Sequence, residues 1–85
     1  PIPVLSQERR EQMVKTIKQM AEEARVRVRS ARRDGIESLK KGEKDGAITE
    51  DDLHRLEKEV QALTDKKVGE IDQHVVTKEK EILTV

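Results

Sequence analysis

The sequence predicts an all-α fold, a long antiparallel helical hairpin. The chain has 85 residues, of which 33% are apolar and 42% are charged, and it contains no aromatic residue. This composition favours long amphipathic helices over a sheet, because a sheet core needs alternating aromatic and β-branched residues. At this length the chain forms at most one small domain.

The first predicted helix runs from about residue 6 to residue 44. We expect residues 1–5 to be extended, because a proline fixes its own φ angle and disfavours the helical conformation of the residue before it. The two prolines of this segment are Pro1 and Pro3. Ser6 is a suitable N-cap, and Glu8 places a carboxylate where it interacts favourably with the helix dipole. Apolar and small residues then recur at steps of three and four, which is typical of one face of a helix. These residues are Met13, Ile17, Met20, Ala24, Val28, Ala31, Gly35 and Leu39.

A turn over residues 45–48 is predicted to join this helix to a second one, about residues 49–83. Gly46 suits the left-handed conformation that often follows a helix. Thr49 is the predicted N-cap of the second helix, and three acidic residues, 50–52, follow it in the first turn. Lysines dilute the far end of the apolar face, so we expect that end to be less buried and the tail, residues 82–85, to fray. The predicted face comprises Leu53, Leu56, Val60, Leu63, Lys67, Ile71, His74 or Val75, Lys78 and Ile82.

Two helices alone cannot cover the apolar surface that these faces predict. A hairpin buries one face of each helix and leaves a groove of half-covered apolar side chains beside the contact. We therefore expect a third helix or a second copy of the chain to complete a helical bundle.

The sequence carries no pattern that is typical of an enzyme. It has no cysteine, no glycine-rich phosphate loop and no nucleophile beside a base. His54 and His74 are 20 residues apart on one predicted helix, too far to share a metal. No apolar run approaches the 18 residues or so of a membrane span. We expect a protein that is not an enzyme and has no cofactor and no metal, in the intracellular setting that fits a chain without cysteine.

Charge is distributed unevenly along a chain whose formal net charge is zero. Residues 1–45 contain 12 basic and 8 acidic side chains, and residues 46–85 contain 6 basic and 10 acidic ones, which gives +4 and −4. Residues 24–33, A-R-V-R-V-R-S-A-R-R, contain five arginines and no acid. Arg25, Arg29 and Arg32 are spaced i, i+4 and i+7, so they share one face of a helix.

This arginine segment has two possible interpretations. One is a solvated face whose arginines pair with nearby acids, but surface ion pairs contribute little to stability. The other is a phosphate-binding surface, which the absence of acids within residues 24–33 favours. Because the chain has no aromatic residue on which bases could stack, we expect contacts to the backbone of folded RNA or DNA.

Several segments together resemble the C-terminal portion of the bacterial ribosome recycling factor family. They are P-I-P-V-L-S-Q-E-R-R, A-E-E-A-R-V-R-V-R-S-A-R-R-D, D-G-A-I-T-E-D-D, L-T-D-K and K-E-K-E-I-L. The resemblance covers the whole chain, and V-R-x-x-R-R-D is a specific signature of the family. It implies that the hairpin is part of a three-helix bundle, domain I, into which a small β-rich domain II is inserted after the first helix. The chain would then lack that first helix and domain II.

The resemblance also implies partners and site residues. Members of this family take part in ribosome recycling: with elongation factor G and GTP they separate the ribosomal subunits after translation termination. Domain I lies against large-subunit ribosomal RNA, and no DNA or membrane partner is implied. A cytoplasmic location in a bacterium, or an organellar matrix or stroma, is expected. By the motif match, the residues that contact RNA would be Arg25, Arg29, Arg32, Arg33 and, as a weaker addition, Arg10.

A competing hypothesis belongs to another functional class. The chain could be a structural helical hairpin that pairs with itself or with another protein to form a four-helix bundle. Salt-dependent binding to ribosomal RNA would favour the first hypothesis, and salt-insensitive dimerisation without RNA affinity would favour the second.

Overall fold

The computed structural model describes residues 6–83 and confirms the predicted all-α helical hairpin. Helix α1 comprises Gln7–Lys44, and helix α2 comprises Glu50–Leu83. The two helices form a rod that is 69 Å long and 15 by 12 Å across. Fraying was predicted for residues 82–85, but Ile82 and Leu83 belong to α2, so that prediction is wrong for these two residues. The rest of that prediction, residues 84–85, and the predicted extended segment at residues 1–5 lie outside the described residues.

Both ends of α1 have the predicted chemistry. The Ser6 side chain accepts a hydrogen bond from the backbone N–H of Arg9 at 3.1 Å, which confirms Ser6 as the N-cap. After α1 ends, Gly46 adopts a φ of 81°, the left-handed conformation that glycine tolerates best. The backbone N–H of Ala47 then donates to the carbonyl oxygen of Gly42 at 2.8 Å and closes the turn.

Helix α2 begins with a reciprocal pair of capping hydrogen bonds. The N–H of Asp52 donates to Thr49 Oγ1 at 3.0 Å, and the N–H of Thr49 donates to Asp52 Oδ2 at 3.3 Å. This is a capping box with aspartate in the position where glutamate or glutamine is usual. The hydrogen bond from the Thr49 backbone, together with one from Arg55, holds the pKa of Asp52 below its ordinary value. Thr49 is therefore the N-cap that the sequence predicts.

The contact between the helices uses a slightly different face of α1 from the predicted one. Ala21 is buried at the contact, whereas Met20 is 61% exposed, and Met13 and Ala31 are exposed as well. Assigning these three residues to the helix–helix contact was wrong, because α1 carries two adjacent apolar rows and a single partner helix covers only one of them. The covered row consists of Val14, Ile17, Ala21, Ala24, Val28, Gly35, Ile36 and Leu39.

Helix α2 shows the same one-residue displacement near its middle. Leu63 was predicted to pack against α1 but is 56% exposed, and the neighbouring Thr64 is buried instead. The Thr64 hydroxyl donates to the carbonyl oxygen of Val60 at 2.8 Å, so burial leaves this polar group with a partner. Towards the end of α2, Val75 is half-buried and His74 is exposed, which decides between these two candidates.

Neither helix is long and apolar enough to span a membrane, as judged over residues 6–83.

Candidate nucleic-acid interface

One side of the hairpin is crossed by three polar contacts between the helices. Lys18 Nζ lies 3.6 Å from Glu79 Oε1, and Arg25 Nη2 lies 2.7 Å from Asp72 Oδ1. Arg32 Nε donates to Gln61 Oε1 at 2.6 Å. The α1 members follow one another at intervals of seven residues, so they lie in line along the helix. We call this side the polar flank; it comprises Lys18, Arg25, Arg29, Arg32, Gln61, Asp65, Asp72 and Glu79.

The opposite side of the hairpin is apolar and open. Each residue advances about 100° around an α-helix. Met20 and Arg25 are therefore about 140° apart, on either side of the row that packs on α2. A shallow hollow on this side is lined by Gly35, Leu39, Leu56, Glu59, Val60 and Leu63. We call this side, with Met13 and Met20 added, the apolar flank.

Arg25 is fully engaged within the protein. Its Nε and Nη2 both donate to Asp72 Oδ1, at 2.8 and 2.7 Å, and its Nη1 lies 3.1 Å from Glu22 Oε2. The side chain is 21% exposed. The hydrogen bond with Asp72 raises the pKa of Arg25 above its ordinary value. Two carboxylates therefore compensate the charge of this predicted RNA contact.

Arg32 and Arg29 are placed differently from Arg25. The hydrogen-bond partner of Arg32 is the neutral amide of Gln61, and no carboxylate of residues 6–83 forms an ion pair with its guanidinium group. Arg29 is exposed and forms no ion pair with any side chain of residues 6–83. Both arginines line one hollow between the helices, together with Gln61, Thr64, Asp65, Val68, Gly69 and Asp72.

The other two predicted RNA contacts, Arg33 and Arg10, lie outside the polar flank. Arg33 is exposed beside Arg32, and its side chain has no ion-pair partner among the described residues. Arg10 lies in the first turn of α1, about 22 Å from Arg25 along the helix at 1.5 Å per residue. Arg10 is half-buried, and its Nε has no hydrogen-bond partner within residues 6–83. The structure therefore groups residues 25, 29, 32 and 33 and leaves Arg10 apart from them.

The two residues of α2 that accept hydrogen bonds from Arg25 and Arg32 were not predicted from the sequence. Asp72 and Gln61 are 47 and 29 residues away from their arginine partners along the chain. The apolar pattern predicts that the helices pack, but it does not fix which polar side chains face one another. A signal was available in the spacing, because Lys18, Arg25 and Arg32 recur every seven residues on α1, and Asp65, Asp72 and Glu79 do so on α2.

The histidines and acids form no other centre within residues 6–83. His54 and His74 are both exposed, and His54 Nε2 lies 3.6 Å from Glu50 Oε1. No group of three His, Asp or Glu side chains in this part of the chain could hold a metal ion. A hollow near the turn is lined mainly by polar and basic side chains, namely Arg32, Ile36, Lys40, His54, Glu57, Lys58 and Gln61.

Comparison with known proteins agrees on one family. The family model described as "Ribosome recycling factor" matches residues 1–83. The chain is 56% identical over 84 residues to a ribosome-recycling factor of Xanthobacter autotrophicus and 54% identical over 84 residues to that of Halalkalibacterium halodurans. Each match covers 99% of this chain and 45% of the relative, so the chain spans less than half the length of these proteins. The chain belongs to the ribosome recycling factor family.

Proposed function

We propose that this chain is the part of a ribosome recycling factor that binds large-subunit ribosomal RNA through the polar flank and the adjacent Arg33. The observation that carries the proposal is the exposure of Arg29, Arg32 and Arg33 without a carboxylate partner among residues 6–83. A guanidinium group presents paired N–H donors that fit two phosphate oxygens, and its charge is weakly hydrated. Membership of the family supports the ribosome as the source of that phosphate.

The five predicted RNA contacts receive different roles in this proposal. Arg29, Arg32 and Arg33 contact phosphate directly, because their charges are available. Arg25 contributes mainly by holding α1 against α2 through Asp72, and it adds less to the attraction because two carboxylates lie within 3.1 Å of it. Arg10 reaches a separate part of the RNA, near the start of α1.

The rest of the recycling activity is proposed for the whole factor. The relatives are more than twice as long as this chain. The open apolar flank provides a surface on which the first helix of a three-helix domain I would pack. With that helix and domain II, the factor would separate the ribosomal subunits together with elongation factor G after translation termination.

Binding to large ribosomal subunits tests the RNA part of this proposal. The labelled 85-residue chain is titrated with purified large subunits at several salt concentrations. We expect the logarithm of the affinity to fall linearly with the logarithm of the salt concentration, because each phosphate contact releases counterions. An absence of binding at low salt, or an affinity that does not change with salt, would overturn the proposal.

A second candidate function is self-association as a structural hairpin. It is favoured by the apolar flank, where Met20 is 61% exposed and Leu63 is 56% exposed. Two copies packed through these flanks would form a four-helix bundle. A dimer that persists in high salt in analytical ultracentrifugation, together with a lack of affinity for large subunits in the binding titration, would favour this candidate over RNA binding.

A further inference from the structure

The side chain of Gln61 stands between an arginine and a carboxylate on the polar flank. Its Oε1 accepts from Arg32 Nε at 2.6 Å, and its Nε2 donates to Asp65 Oδ1 at 2.9 Å. Gln61 is half-buried between the helices, whereas Arg32 and Asp65 are exposed. The amide therefore links the two charged groups without letting them touch.

The register of the hairpin shows what this amide prevents. Starting from the ion pair of Arg25 with Asp72, a step of seven residues along each helix in opposite directions leads to Lys18 and Glu79, which also pair. The same step towards the turn leads to Arg32 and Asp65. The repeat thus brings Arg32 opposite a carboxylate, yet its bond goes to Gln61 and no ion pair forms between them.

We propose that Gln61 is a positioning residue of the RNA interface. Its side-chain amide orients the guanidinium group of Arg32 so that it can bind phosphate, and it prevents Arg32 from forming an ion pair with Asp65. This inference rests on the proposed function of the polar flank. A neutral amide fixes the direction of the guanidinium without compensating its charge, whereas Asp72 compensates the charge of Arg25.

The hydrogen bond between Gln61 and Arg32 indicates which kind of ligand the guanidinium group can bind. Gln61 engages the Nε of Arg32, which leaves both terminal nitrogens, Nη1 and Nη2, without a partner among residues 6–83. These two nitrogens form the end of the guanidinium fork and fit two oxygens of one phosphodiester group. Holding the side chain in this direction before binding also lowers the conformational entropy lost on association.

Gln61→Glu is the first test, because it keeps the shape of the side chain, adds a negative charge beside Arg32 and replaces the hydrogen bond to Asp65 with a repulsion between two carboxylates. The new carboxylate would pair with Arg32, so we expect affinity for large ribosomal subunits to fall about fivefold to tenfold near 0.1 M salt. The slope of log affinity against log salt should flatten by somewhat under one unit, as it should for Arg32→Ala. The matched control is Gln73→Glu, since Gln73 is an exposed glutamine of the same helix with no side-chain hydrogen bond within residues 6–83.

A second pair of variants tests the separation from Asp65. Gln61→Met removes both hydrogen bonds and keeps the length of the side chain, so Arg32 is free to turn towards Asp65. We expect a loss of affinity that the double variant Gln61→Met, Asp65→Asn recovers in part, because the competing carboxylate is gone. Circular dichroism of each variant checks that the helices are retained.

The outcomes separate this inference from the proposed function. If the unmodified chain does not bind large subunits, both fail. If Arg32→Ala weakens binding but Gln61→Glu and Gln73→Glu have equal effects, the RNA interface stands and the positioning role of Gln61 is wrong. A loss in Gln61→Met that Asp65→Asn does not relieve would also overturn the role of Gln61 in separating the charges.

Discussion

Arg25 of α1 and Asp72 of α2 form an ion pair in which Nε and Nη2 of the guanidinium both donate to Oδ1, at 2.8 and 2.7 Å. The pair lies in the middle of the polar flank and joins residues that are 47 positions apart. It therefore shows which residues of the two helices lie opposite each other at the place where the arginine segment begins. The same pair removes one of the predicted RNA contacts from the set of arginines whose charge is available.

We predict that replacing Arg25 affects stability more than RNA binding. Arg25→Ala should lower the melting temperature of the hairpin, and the decrease should shrink in high salt because exposed ion pairs are screened. Affinity for large subunits should fall less than in Arg29→Ala. Thermal melts followed by circular dichroism and binding titrations on the same samples measure both effects.

The partner residue supplies the control for Arg25. Asp72→Asn removes the same ion pair but leaves the guanidinium, so it should also lower the melting temperature. Its effect on RNA binding should have the opposite sign, since a carboxylate is lost from the polar flank and Arg25 is released. Equal losses of affinity in Arg25→Ala and Asp72→Asn would mean that RNA binding depends on the fold of the hairpin and not on the arginine charges.

The second prediction concerns the arginines whose charge is available. Arg29→Ala and Arg32→Ala should each weaken binding to large subunits while leaving the helix content unchanged, because alanine is an equally good helix former. Each should flatten the slope of log affinity against log salt by a little under one unit. Lysine at either position should restore the charge but not the paired donors, so it should recover the affinity only in part.

Arg27 is the internal control for this series. It belongs to the same segment and is exposed, but on an ideal helix it lies about 160° from Arg29 and so points away from the polar flank. We expect Arg27→Ala to change the affinity less than Arg29→Ala at every salt concentration. Equal effects would indicate a diffuse attraction by net charge and would contradict an oriented binding face.

The sequence predicts the hairpin well because its signals are local. The caps at Ser6 and Thr49 and the left-handed Gly46 each depend on a few neighbouring residues. Most of the predicted contact face of α1 is confirmed, but Met20 was wrongly placed at the contact in the position that Ala21 takes, since both residues fit a helical repeat. Burial against α2, which favours the small Ala21, decides between them only when the second helix is present.

The candidate site is harder to predict, because its electrostatics depend on residues far apart in the sequence. The arginine segment contains no acid, so its five charges look equivalent in the sequence. In the folded hairpin Arg25 meets the carboxylate of Asp72, and Arg32 meets the amide of Gln61. These two contacts determine which charges remain available to a ligand. They follow from the register of α2, which no local pattern specifies.

The third prediction concerns the capping box at the start of α2. The folded hairpin lowers the pKa of Asp52 below its ordinary value of 3.8, mainly through the hydrogen bond from the Thr49 backbone. A lowered pKa means that the unfolded state binds the proton more readily. The stabilisation is therefore complete above about pH 3.8 and is lost as the pH falls through the lower folded value. Melts of the unmodified chain and of Asp52→Asn should differ at neutral pH and converge in strong acid.

Variants of Thr49 provide the control for the capping box. Thr49→Ala should destabilise the hairpin by about 1 kcal/mol through loss of the N-cap, and Thr49→Asp should be close to neutral. If the difference between the unmodified chain and Asp52→Asn persisted undiminished in strong acid, the carboxylate charge would not be the stabilising group.

The fourth prediction compares two glycines on either side of the end of α1. Gly42 is helical, and an added Cβ would lie 3.7 Å from Ile48 Cγ1, an ordinary van der Waals distance. Gly42→Ala should therefore stabilise the hairpin by about 0.5–1 kcal/mol. Gly46→Ala should destabilise it by about 1 kcal/mol, because a φ of 81° is unfavourable for alanine. Chemical denaturation of both variants checks the opposite signs.

The last prediction concerns the apolar flank of the isolated chain. Leu63 and Met20 are more than half exposed there, so we expect the 85-residue chain to associate or to melt without sharp cooperativity. Leu63→Glu should reduce association in sedimentation experiments, because a carboxylate cannot be buried against a second copy without a partner. Val26→Glu is the matched control, since Val26 is 55% exposed but lies outside both flanks. Equal effects of the two substitutions, or a concentration-independent monomer that melts cooperatively, would contradict association through this flank.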